Sequence, residues 1–215
     1  MDKNSALKSI EKAKESSKER KFSQTYDIIV TLKNFDLKKE KLDYFLDLTH
    51  SIGKQKKICG LVAGELLEQA KQICDRTIHV DEFQIIAKEK RGTRVLAENY
   101  DYFIAQANIM PKVAQAFGKI LGARGKMPNP KAGCVVPSNT NLQQLKERLQ
   151  RRIRVSATKS PTVQLAIGNE SQPKEEVADN IINLYNSLLS HLPQRENNIK
   201  RIELKLTMGK PVEVQ

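Results

Sequence analysis

The side chains best suited to chemistry in this sequence are not spaced to perform it. Carboxylates recur four residues apart, as Asp43 with Asp47 and Glu11 with Glu15. Acid pairs do acid–base work when one member is desolvated; on an exposed helix face both simply stay ionised. His50, His79 and His191 are far apart, with no Cys or carboxylate at metal-ligand spacing, and read as surface or capping residues. Cys59, Cys74 and Cys134 contain no Cys-x-x-Cys pair. An odd, scattered set fits a reducing compartment and small buried hydrophobes rather than disulfides or zinc. A phosphate loop needs Gly, four residues, then Gly-Lys-Ser/Thr. The Gly-Lys pairs at Gly53, Gly118, Gly125 and Gly209 have Leu48, Val113, Ile120 and Leu204 where the first Gly belongs. GxGxxG, HExxH and GxSxG are also missing. No enzyme, metal or cofactor is implied.

Charge is the remaining signal. With 37 Lys and Arg against 25 Asp and Glu, the formal charge is +12, which predicts a polyanionic partner. No apolar run approaches the roughly 20 residues that span a bilayer, and the N-terminus lacks a signal-peptide core; the expectation is a cytoplasmic protein. Six Phe, five Tyr and no Trp are too few for an aromatic base-stacking platform. RNA would be held through charge, close backbone approach and hydroxyls reading shape and 2′-OH groups.

The elements that must position such contacts follow from periodicity. Leu7, Ile10 and Ala13 mark a charged amphipathic helix, and residues 26–32, dense in β-branched side chains, mark a strand. From Lys57 short strands (58–62, 77–80, 102–106) alternate with helices. Leu66, Leu67, Ala70 and Ile73 mark one, another begins near Asp81, and a third begins near Pro111 with Val113, Ala114, Phe117, Ile120 and Leu121 on its buried face. That alternation predicts parallel βαβ units with helices on both faces. Residues 122–137 hold too many Gly and Pro for regular structure. A helix follows with Leu142, Leu145 and Leu149. Its basic end, Arg148, Arg151, Arg152 and Arg154, either touches RNA diffusely or is solvated.

Residues 163–167 then read as a strand. A helix after Pro173 carries Val177, Ile181, Leu184, Leu188 and Leu192, and Ile202, Leu204 and Leu206 alternate along a last strand. The order fits two domains, a split α+β domain from both termini (1–52 and 156–215) and an inserted α/β domain (53–155).

Residues 120–133, Ile-Leu-Gly-Ala-Arg-Gly-Lys-Met-Pro-Asn-Pro-Lys-Ala-Gly, closely resemble the signature loop of the universal ribosomal protein L-one family. Ala123 stands where that family is expected to have Pro. Lys21-Phe22-Ser23-Gln24-Thr25 resembles the family's Lys-Phe-x-x-Thr segment leading into a strand, and Lys205-Leu206-Thr207-Met208-Gly209-Lys210 its Thr-Met-Gly turn. With residues 102–107 the resemblance covers essentially the whole chain, and its detail is closer to the archaeal branch.

The resemblance implies a split α+β domain and an inserted Rossmann-like, three-layer α/β/α domain. It implies a structural constituent of the large (50S-type) ribosomal subunit, monomeric within it, that binds 23S-type rRNA at the mobile stalk near the exit site. It also implies help in releasing deacylated exit-site tRNA and repression of translation of its own mRNA. The rRNA-binding residues carried over are Lys21, Phe22, Thr25, Thr207, Met208, Gly209 and, less directly matched, Lys210. Without the resemblance, Phe22 before a strand is by default a core residue, and residues 207–209 are an ordinary strand end. The signature-loop residues Gly122, Arg124, Gly125, Lys126, Pro128, Asn129, Pro130, Lys131 and Gly133 fall in the inserted domain, where they shape its surface or meet tRNA. A nucleotide-binding module is the alternative for that domain, and the missing phosphate loop weighs against it.

Overall fold

The computed structural model describes residues 2–37, 40–158 and 160–214. The chain packs as two units, residues 1–54 with 151–215, and residues 55–150.

In the unit built from the termini, strands β1 (Thr25–Leu32), β8 (Thr162–Asn169), β9 (Ile199–Leu206) and β10 (Val212–Glu213) form an antiparallel sheet in the order β10-β9-β1-β8. Along β1 every second residue is buried, so Tyr26, Ile28, Val30 and Leu32 share one face. That face packs with the buried sides of α1 (Lys3–Glu15) and α7 (Lys174–His191). Ala6, Ile10 and Ala13 come from α1; Val177, Ile181, Leu184 and Leu188 come from α7. The heptad-like spacing on α7 is what turns one stripe of that helix toward the sheet.

A two-stranded antiparallel ribbon joins this core: β2 (Leu42–Asp47) pairs with β7 (Arg152–Ala157). The ribbon corrects two expectations. Asp43 and Asp47 lie on a strand, not a helix, and Arg152 and Arg154 are strand residues beyond the helix end at Arg151. Residues four apart share a face in both helix and strand, so spacing alone does not separate them.

The other unit holds a four-stranded parallel sheet, β3 (Ile58–Val62), β4 (Arg76–His79), β5 (Tyr102–Gln106) and β6 (Val135–Val136), in the order β4-β3-β5-β6. β3 is buried throughout, as expected of a strand covered on both faces. One face presents Cys59, Leu61, Phe103 and Ala105 to helices α3 (Phe83–Lys88), α4 (Lys90–Asn99) and α5 (Met110–Ala123), whose Phe83, Leu96, Val113 and Phe117 complete the core. On the opposite face Gly60 lies under helix α2 (Leu67–Ile73) and the residue after it; a Cβ there would sit 3.4 Å from Ala70 and 3.2 Å from Cys74. Helix α6 (Leu142–Arg151) is tied to α2 by Lys146 Nζ donating to the Ile73 carbonyl at 2.6 Å. This is a three-layer α/β/α arrangement.

The units change over in sequence at 54/55 and 150/151, a few residues from the expected 52/53 and 155/156. The second shift follows from β7, whose pairing with β2 draws residues 152–155 into the terminal unit. Residues 122–137 also contain more structure than their Gly and Pro content suggests: a 3-10 turn (Pro130–Ala132) and β6.

Candidate nucleic-acid interface

Antiparallel pairing sets Tyr26 opposite Leu206, so the segment entering β1 and the segment leaving β9 emerge at one end of the sheet. The end of β8 arrives there too, with Asn169 opposite Thr25. Thr25 is thereby joined to Thr207 across 182 residues of sequence and Gln24 to Met208, with Lys21 and Phe22 just before the one segment and Gly209 and Lys210 just after the other.

The join is made of specific hydrogen bonds. The Thr25 amide donates to Thr207 Oγ1 at 3.1 Å, and that hydroxyl donates to the Thr25 carbonyl at 3.3 Å. The Thr207 hydroxyl has thus spent its one proton internally and has a single lone pair left to offer. Gln24 is 1 % exposed because it continues the buried phase of Tyr26, Ile28 and Val30. A buried amide must find partners. Its Oε1 accepts from the Met208 amide at 3.2 Å, and its Nε2 donates to Ser17 Oγ at 3.0 Å. Its backbone is held by Glu170, which receives the Gln24 amide on Oε2 at 3.3 Å and donates its own amide to the Gln24 carbonyl at 2.9 Å. Ser23 donates to Asn169 Oδ1.

These bonds hold two apolar side chains out in solvent. Phe22 is 52 % exposed and Met208 62 % exposed, so Phe22 is not the core residue its position before a strand suggests by default. Lys21 and Lys210 flank the pair in sequence and are exposed, as is Arg20. Glu170 and burial together raise the Tyr26 phenol pKa, burial being the larger cause. Burial likewise raises the carboxyl of Asp27, against the opposing pull of Lys205, its cross-strand neighbour.

Gly209 closes the turn by donating to the Leu206 carbonyl at 2.8 Å. A Cβ on it would lie 3.3 Å from both Cβ and backbone N of Leu206. Glycine therefore relieves a tight contact within the turn itself, in addition to any close approach of RNA backbone.

The signature loop is a framework for its own unit. Arg124 ends α5, Gly125 adopts φ +66°, and the amides of Gly125 and Lys126 return to the carbonyls of Gly122 and Leu121 at 3.0 and 2.9 Å. This double closure satisfies the last carbonyls of the helix and needs a residue free to take positive φ. Lys126 Nζ donates to the Tyr100 carbonyl at 2.7 Å, and Arg124 pairs with Glu98 at 2.6 Å. Asn129 caps the 3-10 turn through the Lys131 amide at 2.9 Å, and Gly133, φ +66°, releases the chain into β6. Pro128 is buried, whereas Pro130 and Lys131 are exposed. The loop and the seven-residue terminal cluster therefore belong to different units.

Two of the four predicted arginines, Arg152 and Arg154, are engaged in ion pairs. Arg152, 6 % exposed at its side chain, holds Asp47 through two N–H groups, one to Oδ2 at 2.6 Å. Arg154 holds Asp43 at 2.7 and 2.9 Å, and this bonding raises its pKa. Both guanidiniums are thus paired within the protein, Arg152 the more deeply. His191 stacks on Tyr44 at 3.7 Å, His50 faces Asp179 at 3.7 Å, and His79 caps a 3-10 turn through the Asp81 amide. Among the described residues no group of three or more His, Cys, Asp or Glu could hold a metal.

Ser23, Gln24, Asn169 and Glu170 complete the cluster and were not among the expected site residues. The phase of β1 is the one sequence signal for Gln24: a polar residue on a buried register demands a partner. Nothing local indicates that Glu170 supplies it.

A family model described as the ribosomal protein L1p/L10e family matches residues 11–210. The chain is 36% identical over 217 residues to large ribosomal subunit protein uL1 of Methanocaldococcus jannaschii, covering 100% of this chain and 97% of that protein. To the uL1 protein of Nanoarchaeum equitans it is 38% identical over 209 residues, covering 95% and 97%. To that of Thermofilum pendens it is 38% identical over 203 residues, covering 93% and 87%.

Proposed function

This chain belongs to the ribosomal protein L1p/L10e family, and on that premise we propose that it is a non-enzymatic constituent of the large ribosomal subunit, anchored to stalk rRNA by its joined chain ends. One observation carries the reading: hydrogen bonds from Thr207 and Gln24 assemble two distant segments into a frame that leaves Phe22 and Met208 exposed. Phe22 and Met208 cover riboses and exclude water, Lys21 and Lys210 neutralise phosphates, and the hydroxyl of Thr25 meets a 2′-OH. Thr207 serves mainly as the clasp and offers RNA its remaining lone pair.

Salt-titrated binding of the full chain to a stalk rRNA fragment, an unrelated RNA and duplex DNA tests this. Stalk rRNA should be preferred by about a thousandfold or more, with part of its affinity retained at high salt. A ratio near one would leave only the +12 charge to explain binding.

Two finer activities rest on the same frame. The inserted unit would assist release of deacylated tRNA from the exit site. A stem in the protein's own mRNA that imitates the rRNA shape would occupy the terminal cluster and repress translation. For feedback, the mRNA must bind more weakly than rRNA; equal or tighter mRNA affinity in competition at one salt concentration removes the repressor role.

A further inference from the structure

A groove in the inserted unit lies well apart in sequence from the terminal cluster and has a different chemical make-up. It runs along one exposed side of α5, between that helix and α3 with the start of α4, as two adjoining cavities of about 590 and 520 Å³. The two share Ala87, Gln115 and Ala116, so they adjoin along α5. Its lining residues on α5 begin at Lys112 and recur at helical spacing to Ala123, a length of roughly 16 Å at the rise of an α-helix.

Small apolar side chains, interrupted by Gln84 and Gln115, line the floor. Phe83 closes it from beneath at 2 % exposure, and Ala87, Ala116 and Ile120 are only half covered. Small residues in such a row let another backbone come close. The walls are cationic: Lys88 and Arg94 on one side, Lys112 and Lys119 on the other, all exposed and none ion-paired among the described residues. The lining acid, Asp81, is turned to His79 at 3.0 Å.

We propose that this groove is a docking site for an acidic amphipathic helix of about three turns, supplied by a protein partner. Three turns match the groove length. An apolar stripe would lie on the alanine floor, as in other helix-in-groove complexes, while Asp or Glu on its flanks would meet Lys88, Arg94, Lys112 and Lys119. Phosphate backbone fits less well, because it would meet the cationic walls and leave the apolar floor without a partner.

The test uses the full chain and three synthetic probes: an acidic amphipathic helical peptide of about 12 residues, a scrambled peptide of the same composition, and deacylated tRNA. The acidic helix should bind in a salt-dependent way, with amide shifts confined to α3, α4 and α5. Lys112→Glu with Lys119→Glu should weaken it at least tenfold, and Ala116→Trp, which fills the floor without altering charge, should do the same. Lys21→Glu, in the terminal cluster, should leave it unchanged. Equal binding of the scrambled peptide, no binding of the acidic helix, or groove shifts produced by tRNA and not by the peptide would each overturn the proposal. Circular dichroism and retained stalk rRNA binding by the groove variants would show that they remain folded.

Discussion

The hydroxyl of Thr207 closes a two-way clasp on the backbone of Thr25, accepting its amide at 3.1 Å and donating to its carbonyl at 3.3 Å. A residue that looks like a ligand contact in sequence is thus first a fastening between the two ends of the chain. Replacement of Thr207 separates those roles. Thr207→Ser keeps the clasp and should bind stalk rRNA nearly as the parent does. Thr207→Val should weaken binding by about 1–3 kcal/mol, the order of a hydrogen bond lost with its partner left unsatisfied. Equal affinity of the two variants in a filter-binding titration would refute the clasp.

Gln24 carries the second fastening, and it is buried. Gln24→Leu fills its volume but strands the Met208 amide and releases Ser17. Thermal unfolding should show a loss of about 1–3 kcal/mol, and rRNA affinity should fall further than the stability loss alone explains. A stable variant with full affinity would mean that the turn holds itself.

Met208 acts differently, being exposed and bonded only through its backbone. Met208→Ala should leave the melting temperature within a degree or two while weakening rRNA binding by about 1–3 kcal/mol. Coincident losses of stability and affinity would mark it as a structural residue.

Arg152 is nearly buried while its partner Asp47 is partly exposed, 6 % against 39 % at the side chain. Arg152→Met should cost about 2 kcal/mol of folding stability, below the usual figure for a fully buried pair because water can reach Asp47. Its rRNA affinity, measured on folded protein, should not change. A selective loss of affinity would restore Arg152 as a phosphate contact.

Burial pushes the thiols of Cys59 and Cys74 up to about 12 and about 11. For Cys74 at pH 8 this leaves roughly one molecule in a thousand as thiolate, the reactive form. Both thiols should resist alkylation in the native protein at that pH and react readily in denaturant. The raised values also set the sign of the linkage. A thiol whose folded pKa is above its unfolded value adds stability below the unfolded value, and that stability declines as pH rises toward about 11. Unfolding at pH 7 and pH 10 should therefore show the alkaline sample weaker, and Cys74→Ser should reduce the difference.

Much of the architecture was legible in the residues themselves. Alternation in 26–32 and 202–206, helical stripes in 113–121 and 177–192, and short apolar runs separated by helices all report local preference plus one-sided burial, which periodicity records directly. The motifs at 21–25, 120–133 and 205–210 carried the family and named the terminal residues. What the sequence could not decide depends on which segment meets which. The β2·β7 ribbon was hidden because Asp43, Asp47, Arg152 and Arg154 satisfy one another across more than a hundred residues, and no local pattern encodes a long-range ion pair. The three-way bonding of Gln24 was hidden for the same reason. The resemblance of residues 205–210 to the family's Thr-Met-Gly turn nominated Thr207, Met208 and Gly209 for the proposed site. Only the tertiary structure decided that the Thr207 hydroxyl turns to the Thr25 backbone as a clasp while the Met208 side chain stays in solvent, because antiparallel pairing of β1 with β9 brings that turn to the segment entering β1.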